Sequence, residues 1–113
     1  MRKLVIIVLA SAFVSPALSF AAQEQAEAAK LFNADCAMCH GRDAAGQTPV
    51  GKQFNIPDLR AAAVQKQTDA ALAQVIEQGK QKMPAFQSRL NQEQVSDLVK
   101  YIRALGKQTP AAK

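Results

Sequence analysis

The chain has 113 residues, room for one domain, with a formal charge of +5 and a pI of about 9.5. It carries two cysteines, one histidine, one tyrosine and no tryptophan. No long Lys/Arg run and almost no aromatic interleaving occur, which argues against nucleic acid as a partner.

The first stretch stands apart from any domain. Arg2 and Lys3 precede an almost wholly apolar run from Leu4 to Val14, and the small-residue segment from Ser15 to Ala22 follows. That order of charge, apolar core and small residues is the layout of a secretory signal. Ser19 and Ala21 satisfy the small-x-small rule, so residues 1–21 are expected to be removed, with Ser19 and Ala22 as alternative cleavage points. The product is then expected in the periplasm, without stable membrane insertion. An uncleaved anchor competes, because Leu4 to Ala22 approaches the ~20 apolar residues that span a bilayer. Pro16 and the serines weigh against it. Loss of Arg2 and Lys3 would leave a working protein less basic than the whole chain.

What remains is small, rich in alanine and poor in aromatic side chains. Such domains are marginal without a staple or a cofactor. Residues 22–34 read as a helix of Ala, Glu, Gln and Lys, with Ala28, Leu31 and Phe32 on its apolar side. Residues 41–56 read as a loop, broken by Gly41, Gly46, Pro49 and Gly51. A short helix is expected after Pro57 and Asp58, since proline suits a first turn. Thr68 can cap a helix from Asp69 to Gln78, which Gly79 ends. A second loop, residues 80–90, holds Met83 and Pro84.

Asn91 begins the last helix, with Gln94 placed for a capping box and Leu90 and Val95 for a hydrophobic staple. Val95, Leu98, Val99, Ile102 and Leu105 form a stripe at helical spacing, and Gly106 is expected to stop it. Residues 107–113 read as a flexible polar tail. Strand signals are absent. The expectation is an all-α domain over 22–106, three to four helices with long loops, and loops that long usually carry function.

The segment Cys36-Ala37-Met38-Cys39-His40 is the attachment motif of a c-type haem. Two thiols three apart can each add to a vinyl group on one edge of the ring, and the next residue offers its imidazole to the iron. A thioredoxin-like dithiol shares C-x-x-C but sits beside a βαβ pattern that is missing here. A zinc site wants four ligands, more than this chain's histidine and cysteines supply. One covalent haem c is therefore the expected cofactor, with His40 on its iron.

The second ligand follows by elimination. No other histidine exists, Met1 would leave with the signal, and Met38 is pinned between the two cysteines. Met83 remains, with Lys80 or Lys82 as the minor alternative and core filling as the ordinary fate of a methionine.

Leu31-Phe32 ahead of the motif, the loop Met83-Pro84-Ala85-Phe86, and Leu98-Val99-Lys100-Tyr101-Ile102 together resemble class I cytochromes c, nearest the short bacterial and photosynthetic electron carriers. The likeness covers nearly all of residues 24–106. It implies a fold wrapped around one haem, with the N- and C-terminal helices crossing through Ala28 and Phe32 against Leu98 and Tyr101. The family usually has glycine where Ala28 stands, so a slightly wider crossing is expected. The resemblance also implies that the Pro49 carbonyl accepts the second ring N–H of His40.

The function so implied is transfer of single electrons between a redox protein donor and acceptor, without enzymatic chemistry, by a monomer. The partners are expected to dock at the exposed haem edge. Lys52, Lys80 and Lys82 lie in the loops expected around that edge, although a solvated surface is the default reading of any lysine. A haem-bearing subunit of a larger redox complex is the alternative. A haem peroxidase or gas sensor stands further back, because it needs an open sixth position and usually a distal acid–base residue.

Overall fold

A computed structural model describes residues 16–108. The apolar run of the expected signal and residues 109–113 of the expected tail lie outside the described residues. Six helices follow in order: α1 Pro16–Asp35, α2 Ala37–His40, α3 Pro49–Gln53, α4 Ala62–Gln65, α5 Asp69–Gln78 and α6 Gln92–Lys107. Among the described residues there is no strand, and an isolated antiparallel bridge joins Lys80 to Met83.

The two long terminal helices form the frame. Strong helix formers fill α1, which continues N-terminally past the expected start at residue 22 as far as Pro16. Its first turns are largely exposed, and the buried residues on it are Ala28 and Phe32, four apart on one face. They meet the stripe of α6, where Val95, Leu98, Val99, Ile102 and Leu105 are all buried. Phe32 and Tyr101 stack at a tilt, with ring centroids 5.4 Å apart. Burial of a Phe or Leu side chain stabilises by about 1.5–3 kcal/mol, so Phe32 and Leu98, each 1% exposed, anchor this crossing.

The capping signals hold in detail. Thr68 Oγ1 accepts from the Ala71 amide at 3.1 Å, and the Gly79 amide closes α5 on the Val75 carbonyl at 2.8 Å. The capping box of α6 is reciprocal. The Gln94 amide donates to Asn91 Oδ1 at 2.8 Å, and the Asn91 amide donates to Gln94 Oε1 at 2.9 Å. Leu90 and Val95, the expected staple, are both buried.

Three expectations are corrected. Gly106 does not stop α6, which continues to Lys107. A Cβ at 106 would lie 2.4–2.7 Å from the carboxamide of Gln65, so this glycine admits a neighbour instead of ending the helix. The segment 41–56 is not all loop, because Thr48 caps α3 by accepting from the Gly51 amide at 2.9 Å and Pro49 occupies its first turn. The short helix expected directly after Asp58 begins only at Ala62. Asp58 makes a turn instead, taking the Arg60 amide at 2.9 Å and the Arg60 guanidinium at 2.9 and 2.8 Å. The count thus exceeds three to four because α2, α3 and α4 are each five residues or fewer.

Candidate functional site

The pentapeptide 36–40 is folded as a helical turn. The His40 amide donates to the Cys36 carbonyl at 2.9 Å, and the Cys39 amide reaches the same oxygen at 3.2 Å. Positions three and four apart on a helix share a face, so Cys36, Cys39 and His40 line one side. All three are half-buried, and both thiols are free. Met38 is 73% exposed.

The turn is fastened from behind by the segment that follows it. Gly41, at φ +81°, ends α2, and the Gly46 amide returns to the His40 carbonyl at 2.7 Å. Thr48 Oγ1 donates to the Cys39 carbonyl at 3.0 Å while capping α3. Gly51 then lies so close that a Cβ there would fall 2.6 Å from the Cys39 carbonyl oxygen and 2.2 Å from that of Gly46. Ala44 is fully buried in the left-handed region, φ +60°, and its carbonyl takes the Leu59 amide at 2.9 Å. Left-handed residues other than glycine are costly and gather where a structure over-determines them.

His40 packs 6.5 Å from the Phe32 ring, and burial lowers its pKa from the ordinary imidazole value. The neutral form, the one that can coordinate a metal, is thereby favoured. Its Nδ1 is buried without a hydrogen-bond partner. A buried ring nitrogen left without a partner costs free energy. Burial, with Asp35 and Cys39 adding repulsion, pushes the Cys36 thiol up to about 11. No group of three or more His, Cys, Asp or Glu able to hold a metal ion occurs among the described residues. Two free thiols and a neutral imidazole on one face fit a ring attached through its edge and its iron.

Met83 is half-buried and packs against the same apolar cluster as Cys36. The Lys80 and Met83 backbones exchange hydrogen bonds at 3.1 and 2.9 Å, closing a two-residue turn. Pro49 opens α3 immediately after Thr48, and the expected bond from His40 Nδ1 to its carbonyl is not formed. Lys52, Lys80 and Lys82 are exposed and make no salt bridge within the described residues. Lys82 Nζ lies 5.8 Å from the centre of the Phe54 ring, which is 42% exposed. Sequence reasoning passed over Thr48 and Phe54 and took Gly51 only as a loop breaker. Thr-Pro was a readable capping signal, whereas the role of Gly51 depends on contacts no local pattern encodes.

Residues 23–102 match the family described as cytochrome c oxidase, cbb3-type, subunit III. The chain is 41% identical over 100 residues to a cytochrome c6 from Nostoc sp., in an alignment covering 85% of this chain and 79% of that protein. A cytochrome c6 from Leptolyngbya boryana is 34% identical over 79 residues, covering 70% of this chain and 89% of that one. The cbb3-type cytochrome c oxidase subunit FixP of Rhizobium etli is 38% identical over 79 residues, covering 68% of this chain but only 26% of FixP. Among solved structures, the KustC0563 c-type cytochrome superposes with a TM-score of 0.64 at 30% identity, covering 71% of this chain and 98% of that one.

Proposed function

This chain belongs to the cytochrome c family as a small class I member, and from that premise we propose that it is a periplasmic single-electron carrier in which His40 and Met83 ligate the iron of one covalently bound haem c. The observation that carries the reading is the shared face of Cys36, Cys39 and His40 on one helical turn.

When bound, the haem supplies the ferric–ferrous couple, and the chain supplies attachment, orientation and a dry surrounding. Cys36 and Cys39 anchor the ring by thioethers, so opening of a small fold does not release it. Burial favours the neutral form of His40, and the bond from its second ring N–H to the Pro49 carbonyl, not formed in the structure, is proposed only for the iron-ligated ring. Met83 offers a soft sulfur that favours the reduced iron, and the apolar cluster behind it disfavours the extra ferric charge. Both effects raise the potential.

Export, removal of residues 1–21, and a working domain over 22–106 complete the reading. No helix among the described residues is long and apolar enough to cross a membrane. Redox proteins are the partners, meeting a monomer at the haem edge through the loops of Lys52, Lys80 and Lys82. The likeness to FixP supports a second reading, a haem subunit within a larger redox complex. A size-exclusion run on native extract separates the two, since a free carrier elutes near its monomer mass.

Ligation is tested at the two methionines. The ferric protein is expected to show the weak near-infrared band of methionine–iron charge transfer, and the ferrous protein to bind carbon monoxide slowly or not at all. Met83→Ala should lose the band, lower the potential and admit carbon monoxide, while Met38→Ala does none of this. Rapid carbon monoxide binding by the unsubstituted protein would falsify the carrier reading and favour a sensor or peroxidase.

A further inference from the structure

The segment that carries Met83 closes on itself ahead of the methionine and is tied to the last turn of α5 behind it. Ahead of it, the Lys80 and Met83 backbones exchange hydrogen bonds around Gln81 and Lys82. Behind it, the Phe86 amide donates to the Ile76 carbonyl at 3.0 Å and the Gln87 amide to the Glu77 carbonyl at 3.1 Å. These bonds satisfy carbonyls that the end of a helix would otherwise leave free. Phe86 is itself buried, so the return is also held by packing.

Gly79 sits at the centre of this arrangement. Its backbone lies at φ +77° and ψ 170°, a region only glycine adopts without strain. A Cβ there would stand 2.6 Å from the Met83 carbonyl oxygen, 2.9 Å from the Pro84 carbonyl carbon and 2.9 Å from the Ala85 amide nitrogen. All three are backbone atoms, so no side chain can swing aside to make room. The whole collision falls on the three residues that hold the sulfur in place.

We propose that Gly79 is the positioning residue of the sixth ligand. Its lack of a side chain lets the backbone of 83–85 close onto the end of α5, and that closure keeps the Met83 sulfur at its post. The role rests on the reading of Met83 as a ligand and goes beyond it by naming what holds that ligand shut. Any side chain at 79 shifts the loop outward, and the sixth position then stands open to small external ligands. Gln81 provides the internal contrast. It also has a left-handed backbone, φ +53°, but its side chain is exposed.

The test uses the mature haem-loaded protein and two readouts, the ferric near-infrared band and carbon monoxide association to the ferrous form. Gly79→Ala should weaken or abolish the band and speed association by about tenfold or more, as the open population grows. Helical circular dichroism and thioether-bound haem should persist. Gln81→Gly should keep both the band and the exclusion of carbon monoxide. If Gly79→Ala does not mature, Gln87→Pro removes the amide that reaches Glu77, constrains the backbone at 86 and 87, and should show the same change in smaller degree. An unsubstituted protein without the band overturns the ligand reading and the positioning role with it. A normal band in that protein together with unaltered Gly79→Ala, or unaltered Gln87→Pro where Gly79→Ala fails, overturns the positioning role alone.

Discussion

Arg103 Nη1 donates to the backbone carbonyl of Gln65 at 2.8 Å, joining α6 to the end of α4. The same guanidinium gives Nε to Asp69 Oδ1 at 2.9 Å and Nη2 to the Gln67 carbonyl. Gln65 answers with Nε2, which reaches the Leu59 carbonyl at 2.8 Å and the Ile102 carbonyl at 3.2 Å. One arginine thus fastens the turn between α4 and α5 to the C-terminal helix.

Arg103→Met keeps much of the apolar stem and strips every one of these donors. Stability should fall by about 1–3 kcal/mol, the range for acceptors left without partners in partly buried surroundings. Urea unfolding of the haem-loaded protein measures it. Arg103→Lys should recover only a fraction, since a single ammonium cannot span three acceptors on separate residues.

Gly51 is a steric requirement of the haem motif. The atoms a new Cβ would strike belong to the Cys39 and Gly46 backbones, so Gly51→Ala should cost about 1–3 kcal/mol, as overpacking does. The strain falls beside Cys39, a proposed thioether anchor, and the yield of haem per polypeptide should drop with it. Thr48→Val removes the bond to the Cys39 carbonyl and the cap of α3, and should cost about 1 kcal/mol. Thermal melts with haem-to-protein absorbance ratios order the two. A Gly51→Ala protein as stable as the parent contradicts the close approach.

Asp58 sets an acid limit. Its hydrogen bonds to Arg60, opposed by burial but reinforced by the Arg60 amide and charge, hold the carboxyl below the usual value. A depressed folded pKa contributes stability that is complete above the ordinary carboxylate range, about 4, and is lost as pH falls through the folded value. Asp58→Asn should therefore melt lower than the parent near neutrality, and the two curves should converge in acid. The carboxylate is partly exposed, so the gap is small and best read at low salt. A gap that widens in acid contradicts this sign.

Lys80 and Lys82 flank the Met83 turn without acidic neighbours in bonding range. Where they steer an acidic redox partner, the reduction rate should fall as salt shortens the Debye length to about 10 Å at 0.1 M. Lys80→Glu should slow association and leave the haem spectrum unchanged. Rates indifferent to ionic strength would make these lysines solvating groups only.

Legibility of the fold followed the reach of its signals. The bounds of α5 and the capping box of α6 were readable because Thr68, Gly79, Asn91 and Gln94 act within a few residues of themselves. The haem motif was readable for the same reason, its chemistry being compressed into one turn. Gly106 misled because a glycine that ends a helix and one that admits Gln65 look alike in one dimension. Pro49 misled by being taken as a breaker where Thr48 before it made a first turn. The clamp of Arg103 had no local signature, since its partners lie more than thirty positions away.

The crossing of α1 and α6 joins the first and last helices described, and this sets an order of assembly. A contact between distant segments forms only after both have been made, and the closure entropy between them is met before it is repaid. The haem-binding turn directly follows α1, so it emerges long before α6 exists to shut the frame. The layout of the chain thus puts the haem motif ahead of the contact that closes the frame, with the C-terminal helix as the bolt.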